Sequence, residues 1–213
     1  DSSTSRGLGD VYKRQVLSNG TTHATDHTNA AVTGLCLPDA SGWSPTTCAA
    51  LNVPVTMLPT IVETSGAFGL AHALPGAPPM TALVGDQQAS LVGQSCVSPG
   101  LAKITFGTGG MLDMCTGPTP PASGARTAAG TFPIVAWSRD GSRIWGTEAI
   151  MLSAGTNIEW LVDDLGILSS AAESHDVAAQ CDTTDGVVYV PALMGLGTPH
   201  WDYGARGTML GLT

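Results

Sequence analysis

Asp86-Gln87-Gln88 follows the apolar run Thr81-Ala-Leu-Val84 and Gly85, so one carboxylate and two amides stand where a strand is expected to give way to a helix. An acid there serves either of two ends. At a helix start it meets unpaired N–H groups and the positive end of the dipole. At the carboxyl end of a strand in an open α/β sheet it faces the crevice where ligands bind, and can accept a proton from a hydroxyl. A lone Asp beside Gly leaves both readings open. A second stretch, Phe106-Gly-Thr-Gly-Gly110, is a turn whose glycines free backbone amides for an anionic oxygen such as a phosphate, with Thr108 adding a hydroxyl. A hairpin turn without ligand suits the same residues. Gly155 falls inside an expected helix, where it costs roughly 1 kcal/mol against Ala; close backbone packing is the default reason, ahead of ligand approach. His23-Ala-Thr-Asp-His27 offers two imidazoles at helical spacing, yet no third metal ligand is placed by sequence, and a polar loop with satisfied histidines fits better.

The elements that must carry these groups alternate in type. Ser44-Pro45 starts a short helix to Leu51, with Ser as cap and Pro at the first helical position. Thr81–Val84 reads as a buried strand and Gln87–Gln94 as the helix after it. Leu101–Phe106 and Met111–Cys115 read as strands joined by the glycine turn, and Pro133–Trp145 as a hairpin turning at Asp140-Gly141. Ala149–Leu165 has helical periodicity and a stop at Gly166, Ser169–Gln180 reads as a further helix, and Gly186–Leu193 as a strand leading into a polar loop. The stretches 71–79 and 116–125 read as surface loops. The mixture predicts an α/β protein.

Composition bounds the function. With 213 residues, 43% hydrophobic and 12% charged, the chain can bury a sizeable core. A net charge of -9 with 8 Lys plus Arg leaves no basic stripe for nucleic acid. Five widely spaced cysteines without a Cys-x-x-Cys suggest reduced thiols rather than disulfides or zinc. With neither a membrane-length apolar run nor a signal sequence, the cytoplasm is the default location. Residues 1–15 share no periodicity with the adjoining chain and read as an appended linker or a short unstructured arm. Both ends are expected to be cut from a longer protein.

His23–Ala30, Gly85–Ala89, Gly100–Gly109, Ala154–Leu161 and Val190–Asp202 together, in this order and spacing, resemble the FGGY family of carbohydrate kinases. The resemblance implies an actin-like ATPase (ribonuclease-H-like) fold, with residues 16–96 as the last part of a first domain and 97–213 as the first part of a second, and an active site in the cleft between domains. It implies ATP with Mg²⁺ and a polyol or sugar, glycerol ahead of a pentulose such as xylulose. A homo-oligomer is left open. By this match Asp86 is the catalytic base and Gln87 its neighbour beside the polyol. Thr108 and Gly109 meet the ATP phosphates, and Gly155 lies against the nucleotide. Met111 stands where relatives acting on glycerol place a Phe beside the substrate, and Glu159 where they often have Gln near the nucleotide; both departures bear on the substrate. Two rival readings are a binding module of the same fold without transferase activity, and a two-carboxylate hydrolase pairing Asp86 with Asp113.

Overall fold

The structure, a computed structural model, describes residues 9–122 and 124–212. The chain packs as two units. The first holds residues up to Lys103 with Asp113–Arg126 and Phe132–Thr147; the second holds Ile104–Leu112, Thr127–Thr131 and the chain from Glu148 on. This division does not coincide with a boundary after residue 96, because the strands beyond that point contribute residues to both units.

In the first unit, α1 (Gly9–Leu17) departs from the expected unstructured arm. Val11, Arg14 and Ser18 recur on one helical face and are all buried, and the Arg14 guanidinium lies 5.2 Å over the Phe68 ring. A charged residue on that face hid its apolar character, since a long basic side chain also covers apolar surface with its stem. Residues 1–8 lie outside the described residues. Strand β1 (Ala24–Asp26) runs directly into α2 (His27–Ala31) and pairs in parallel with β2 (Thr60–Val62), with Ala24 opposite Thr60. Between them α3 (Pro45–Ala50) forms as expected: Ser44 caps it, accepting the Thr47 N–H at 3.2 Å.

Thr81–Val84 is not the buried strand expected. Thr81 and Ala82 are exposed, and a single antiparallel bridge joins Ala82 to Ser65. Its partner lies beyond the end of β2, so no ladder extends from it. Helix α4 (Asp86–Gly93) starts one residue earlier than expected, with Gly85 as its N-cap residue.

Strands β3 (Ala102–Phe106), β4 (Gly110–Gly117), β5 (Phe132–Arg139) and β6 (Ser142–Met151) form a sheet in the order β3-β4-β6-β5. The β5–β6 turn uses positive φ at Asp140 and Gly141, as that dipeptide favours. Ile134, Val135 and Ala136 are completely buried, so β5 is covered on both faces. Val135 joins Ala40 and Trp145 in one cluster, while Ala136 joins Leu91 and Cys96 in another. Leu91 thereby ties α4 to the sheet.

In the second unit, helix α5 spans only Gly155–Asp163 rather than 149–165, because β6 continues through Met151. The apolar residues Ile150 and Met151 suited both periods, and strand pairing decided. Gly166 follows the helix with φ +61, as a stop requires. The expected helix over 169–180 shrinks to a 3-10 turn at Ala171–Glu173 and α6 (Ser174–Ala178). Strand β7 (Val188–Val190) is shorter than read from sequence and pairs antiparallel with β8 (Thr208–Leu210).

Candidate functional site

Asp86 is the first residue of α4, exposed, with its Oδ1 accepting the Gln87 N–H at 2.8 Å. The carboxylate therefore enjoys the helix dipole without acting as a cap for the second turn. A buried network sets the backbone before it. Asp26, wholly excluded from solvent, accepts from the N–H and hydroxyl of Thr28, the N–H and side-chain amide of Asn29, and the Thr64 hydroxyl at 2.7–3.1 Å. Thr28 Oγ1 in turn accepts the Gly85 N–H at 2.8 Å. One buried acid thus fixes the residue that precedes the exposed one.

Gln87 is half-buried, and its Oε1 accepts a hydrogen bond from Lys103 Nζ. That ammonium also lies 2.6 Å from Asp113 Oδ2, and neither side chain is exposed. Burial pushes the Asp113 carboxyl above its ordinary range; Lys103 pulls it back and the charge of Asp86 pushes it up again. Because Asp113 is sealed and ion-paired, it cannot face a substrate, which removes the two-carboxylate hydrolase.

The second unit builds its part from backbone. Gly155, the first residue of α5 rather than a mid-helix residue, donates its N–H to Gly107 O at 2.8 Å, and Ala154 donates to Thr108 O at 2.9 Å. A Cβ on Gly155 would stand 2.6 Å from Gly107 O, so close backbone packing explains this glycine. Carbonyls of the turn are thus spent on the helix start. The N–H groups of Thr108 and Gly109 and the Thr108 hydroxyl have no hydrogen-bond partner among the described residues, and Thr108 is exposed. Beside the helix start lies a largely apolar cavity of about 350 Å³, lined by Phe106, Met151, Ser153, Gly155, Ile158 and Pro191 among others. Ser153 Oγ is buried there without a partner among the described residues. Asn157 also lines the cavity, and its Oδ1 accepts from the Tyr189 hydroxyl at 2.8 Å.

Of the residues singled out by sequence, Asp86 and Gln87 are neighbours on α4, and Thr108, Gly109 and Gly155 meet at the α5 start. Glu159 is exposed on α5 and does not line the cavity; Asn157 and Ile158 do. Met111 is half-buried on β4. His23 and His27 are separately satisfied, His27 Nδ1 lying 2.9 Å from Ser138 Oγ, and no metal-holding group of three His, Cys, Asp or Glu is found among the described residues. No described helix is long and apolar enough to cross a membrane. Sequence reading missed Asp26, Ser153 and the pairing of Lys103 with Asp113, which it weighed only as a second carboxylate for a hydrolase. A signal existed for two: Lys103 and Asp113 sit five residues to either side of Thr108, so a symmetric hairpin sets them opposite.

Known proteins place this architecture. Over 209 residues the chain is 42% identical to glycerol kinase of Alkalilimnicola ehrlichii, covering 97% of this chain and 41% of the relative. It is 42% identical to glycerol kinase of Francisella philomiragia over 210 residues, again covering 97% of this chain and 41% of the relative. The chain thus spans about two fifths of the length of these curated relatives. The crystal structure of Plasmodium falciparum glycerol kinase with ADP superimposes with a TM-score of 0.82 at 28% identity, over 96% of this chain and 40% of that one. Ligand-bound xylulose kinase from Lactobacillus acidophilus gives 0.77 at 20% identity, over 96% of this chain and 41% of that one, which supports the fold: the α/β, actin-like ATPase architecture. Residues 102–213 match the C-terminal domain of the FGGY family of carbohydrate kinases, and with these relatives the chain belongs to that family.

Proposed function

We propose that the protein carrying these residues is an ATP-dependent kinase that phosphorylates a polyol, glycerol before a pentulose such as xylulose. The observation that carries the reading is Asp86: an exposed carboxylate at a helix start, anchored through Gly85 by a buried acid network, beside an amide held from behind. An alcohol hydroxyl loses its proton far above neutral pH. A carboxylate in hydrogen-bond reach can take that proton as the oxygen attacks phosphorus, an effect worth about 10²- to 10⁴-fold. The new bond joins substrate oxygen to the γ-phosphorus, the bond from that phosphorus to the bridging oxygen breaks, and ADP leaves with the electron pair.

Phosphoryl transfer otherwise depends on positioning and charge neutralisation. In this proposal the N–H groups of Thr108 and Gly109, without a partner among the described residues, and the Thr108 hydroxyl receive phosphate oxygens. The cavity beside Gly155 has the size and apolar lining of a small-ligand site, with Ser153 Oγ as a polar anchor. Mg²⁺, when bound, would neutralise phosphate charge. No group of three His, Cys, Asp or Glu side chains that could hold a metal ion is found among the described residues, and no step is assigned to a protein-bound metal. A cytoplasmic location belongs to the same reading.

The test is product analysis in the protein that carries these residues. Phosphorus NMR with ATP and glycerol should show ADP and glycerol 3-phosphate forming one to one, faster than with xylulose. Nucleotide binding with no phosphorylated product from either alcohol would favour a binding module of this fold instead.

A further inference from the structure

The carboxamide of Gln87 is held from one side. Lys103 presents an ammonium, which only donates, so Gln87 Oε1 must face it and Nε2 must face away. No partner of Nε2 is found among the described residues. Lys103 is itself fixed by Asp113 at 2.6 Å, with both side chains sealed from water. Such a pair adds little net stability, because desolvation offsets the attraction. What it does secure is direction. The two charges lie on adjacent strands of a hairpin, and the ammonium reaches from that hairpin to the residue after Asp86.

We propose that Lys103, backed by Asp113, is a positioning residue that fixes the Gln87 carboxamide so that its Nε2–H donors meet an oxygen neighbouring the reacting hydroxyl. The pair thereby selects vicinal diols and hydroxy-ketones over alcohols lacking an adjacent oxygen. The substrate half of this inference rests on the kinase reading above; the orientation half does not.

Lys103→Met alone strands a buried carboxylate, so the informative variant combines Lys103→Met with Asp113→Leu, removing both charges at similar volume. Two measurements separate the claims. In the 213-residue chain labelled at glutamine side chains, the Gln87 amide should give two distinct, ordered proton signals that collapse to mobile, averaged values in the double variant. In the kinase assay, the same variant should raise KM for glycerol about tenfold, the scale of one lost hydrogen bond to a polar partner. It should change KM for 1,3-propanediol, which lacks the central hydroxyl, and kcat for either by less than about threefold. Gln87→Ala added to the double variant should raise KM no further. A Gln87 amide that stays equally ordered in the folded double variant overturns the proposal, as does an equal KM rise for both diols. A wild-type protein inert toward every polyol, with the amide still loosened in the variant, defeats the kinase reading and supports the positioning role.

Discussion

Asp86 and Gln87 depend on side chains: Asp26, Thr28 and Thr64 hold the chain before them, and Lys103 with Asp113 braces them from behind. The turn at Thr108 depends on backbone: its shape comes from carbonyls that accept the first N–H groups of α5, made reachable because position 155 carries no Cβ. The contrast matches the two tasks proposed for them. Proton removal needs one carboxylate in one place, and its support is a network of buried polar groups that must all be satisfied. Cradling phosphates needs several N–H groups, which a turn supplies whatever its side chains. Substitutions should therefore damage the first region through lost partners and the second through added bulk.

The largest stability effect should follow Asp26→Ala. It leaves several buried donors without their acceptor, a loss of about 3–5 kcal/mol by comparison with broken buried charged networks, read from the denaturant midpoint. A loss below about 1 kcal/mol, the scale of a single ordinary hydrogen bond, would dissolve the contrast. Next comes Gly155→Ala. The new methyl meets a backbone oxygen at 2.6 Å, so the helix start must shift, at about 1–3 kcal/mol for overpacking, with weaker nucleotide binding by calorimetry. Unchanged binding and stability would mean that the close approach is unimportant. Thr108→Ala removes one hydroxyl and leaves the turn intact, so nucleotide affinity should fall only about three- to tenfold.

The smallest effect is pH-dependent. Burial, then Arg143, lowers the pKa of His27, while Glu63 and Asp26 oppose the shift. The unfolded chain thus takes up a proton before the folded one does. Stability from this residue is complete above the ordinary histidine pKa of about 6.5 and is lost as pH falls toward the lower folded value. His27→Gln should flatten denaturation midpoints measured between about pH 7 and pH 5; an unaltered slope would remove His27 as its source.

The parts of the fold that could be read from the sequence came from local chemistry. Ser44-Pro45 and Asp140-Gly141 form their cap and turn as their residue types dictate, because a few neighbouring atoms decide the outcome. Periodicity failed where two patterns overlapped: Ala149 to Met151 suits a helix face, but the hairpin begun at Ser142 claimed it first. Thr81–Val84 failed because its partner around Ser65 pairs with it by a single bridge and leaves Thr81 and Ala82 exposed, which no local pattern reveals. At the site, Asp86 and the glycine turn were legible as single residues with unusual freedom. Their supports were not, since Lys103 gains its part only once its strand faces Asp113, and Ser153 fell within a stretch read as helix although it lies between β6 and α5 against a cavity.

The central claim is that Asp86 removes a proton and takes no part in holding the nucleotide. Asp86→Asn, made in the protein that carries these residues, keeps the shape and removes the charge. Single-turnover formation of glycerol 3-phosphate should slow by about 10²- to 10⁴-fold, with the ATP dissociation constant within about twofold of wild type. Turnover within about tenfold of wild type, or a loss of ATP binding as large as the loss of rate, would contradict it.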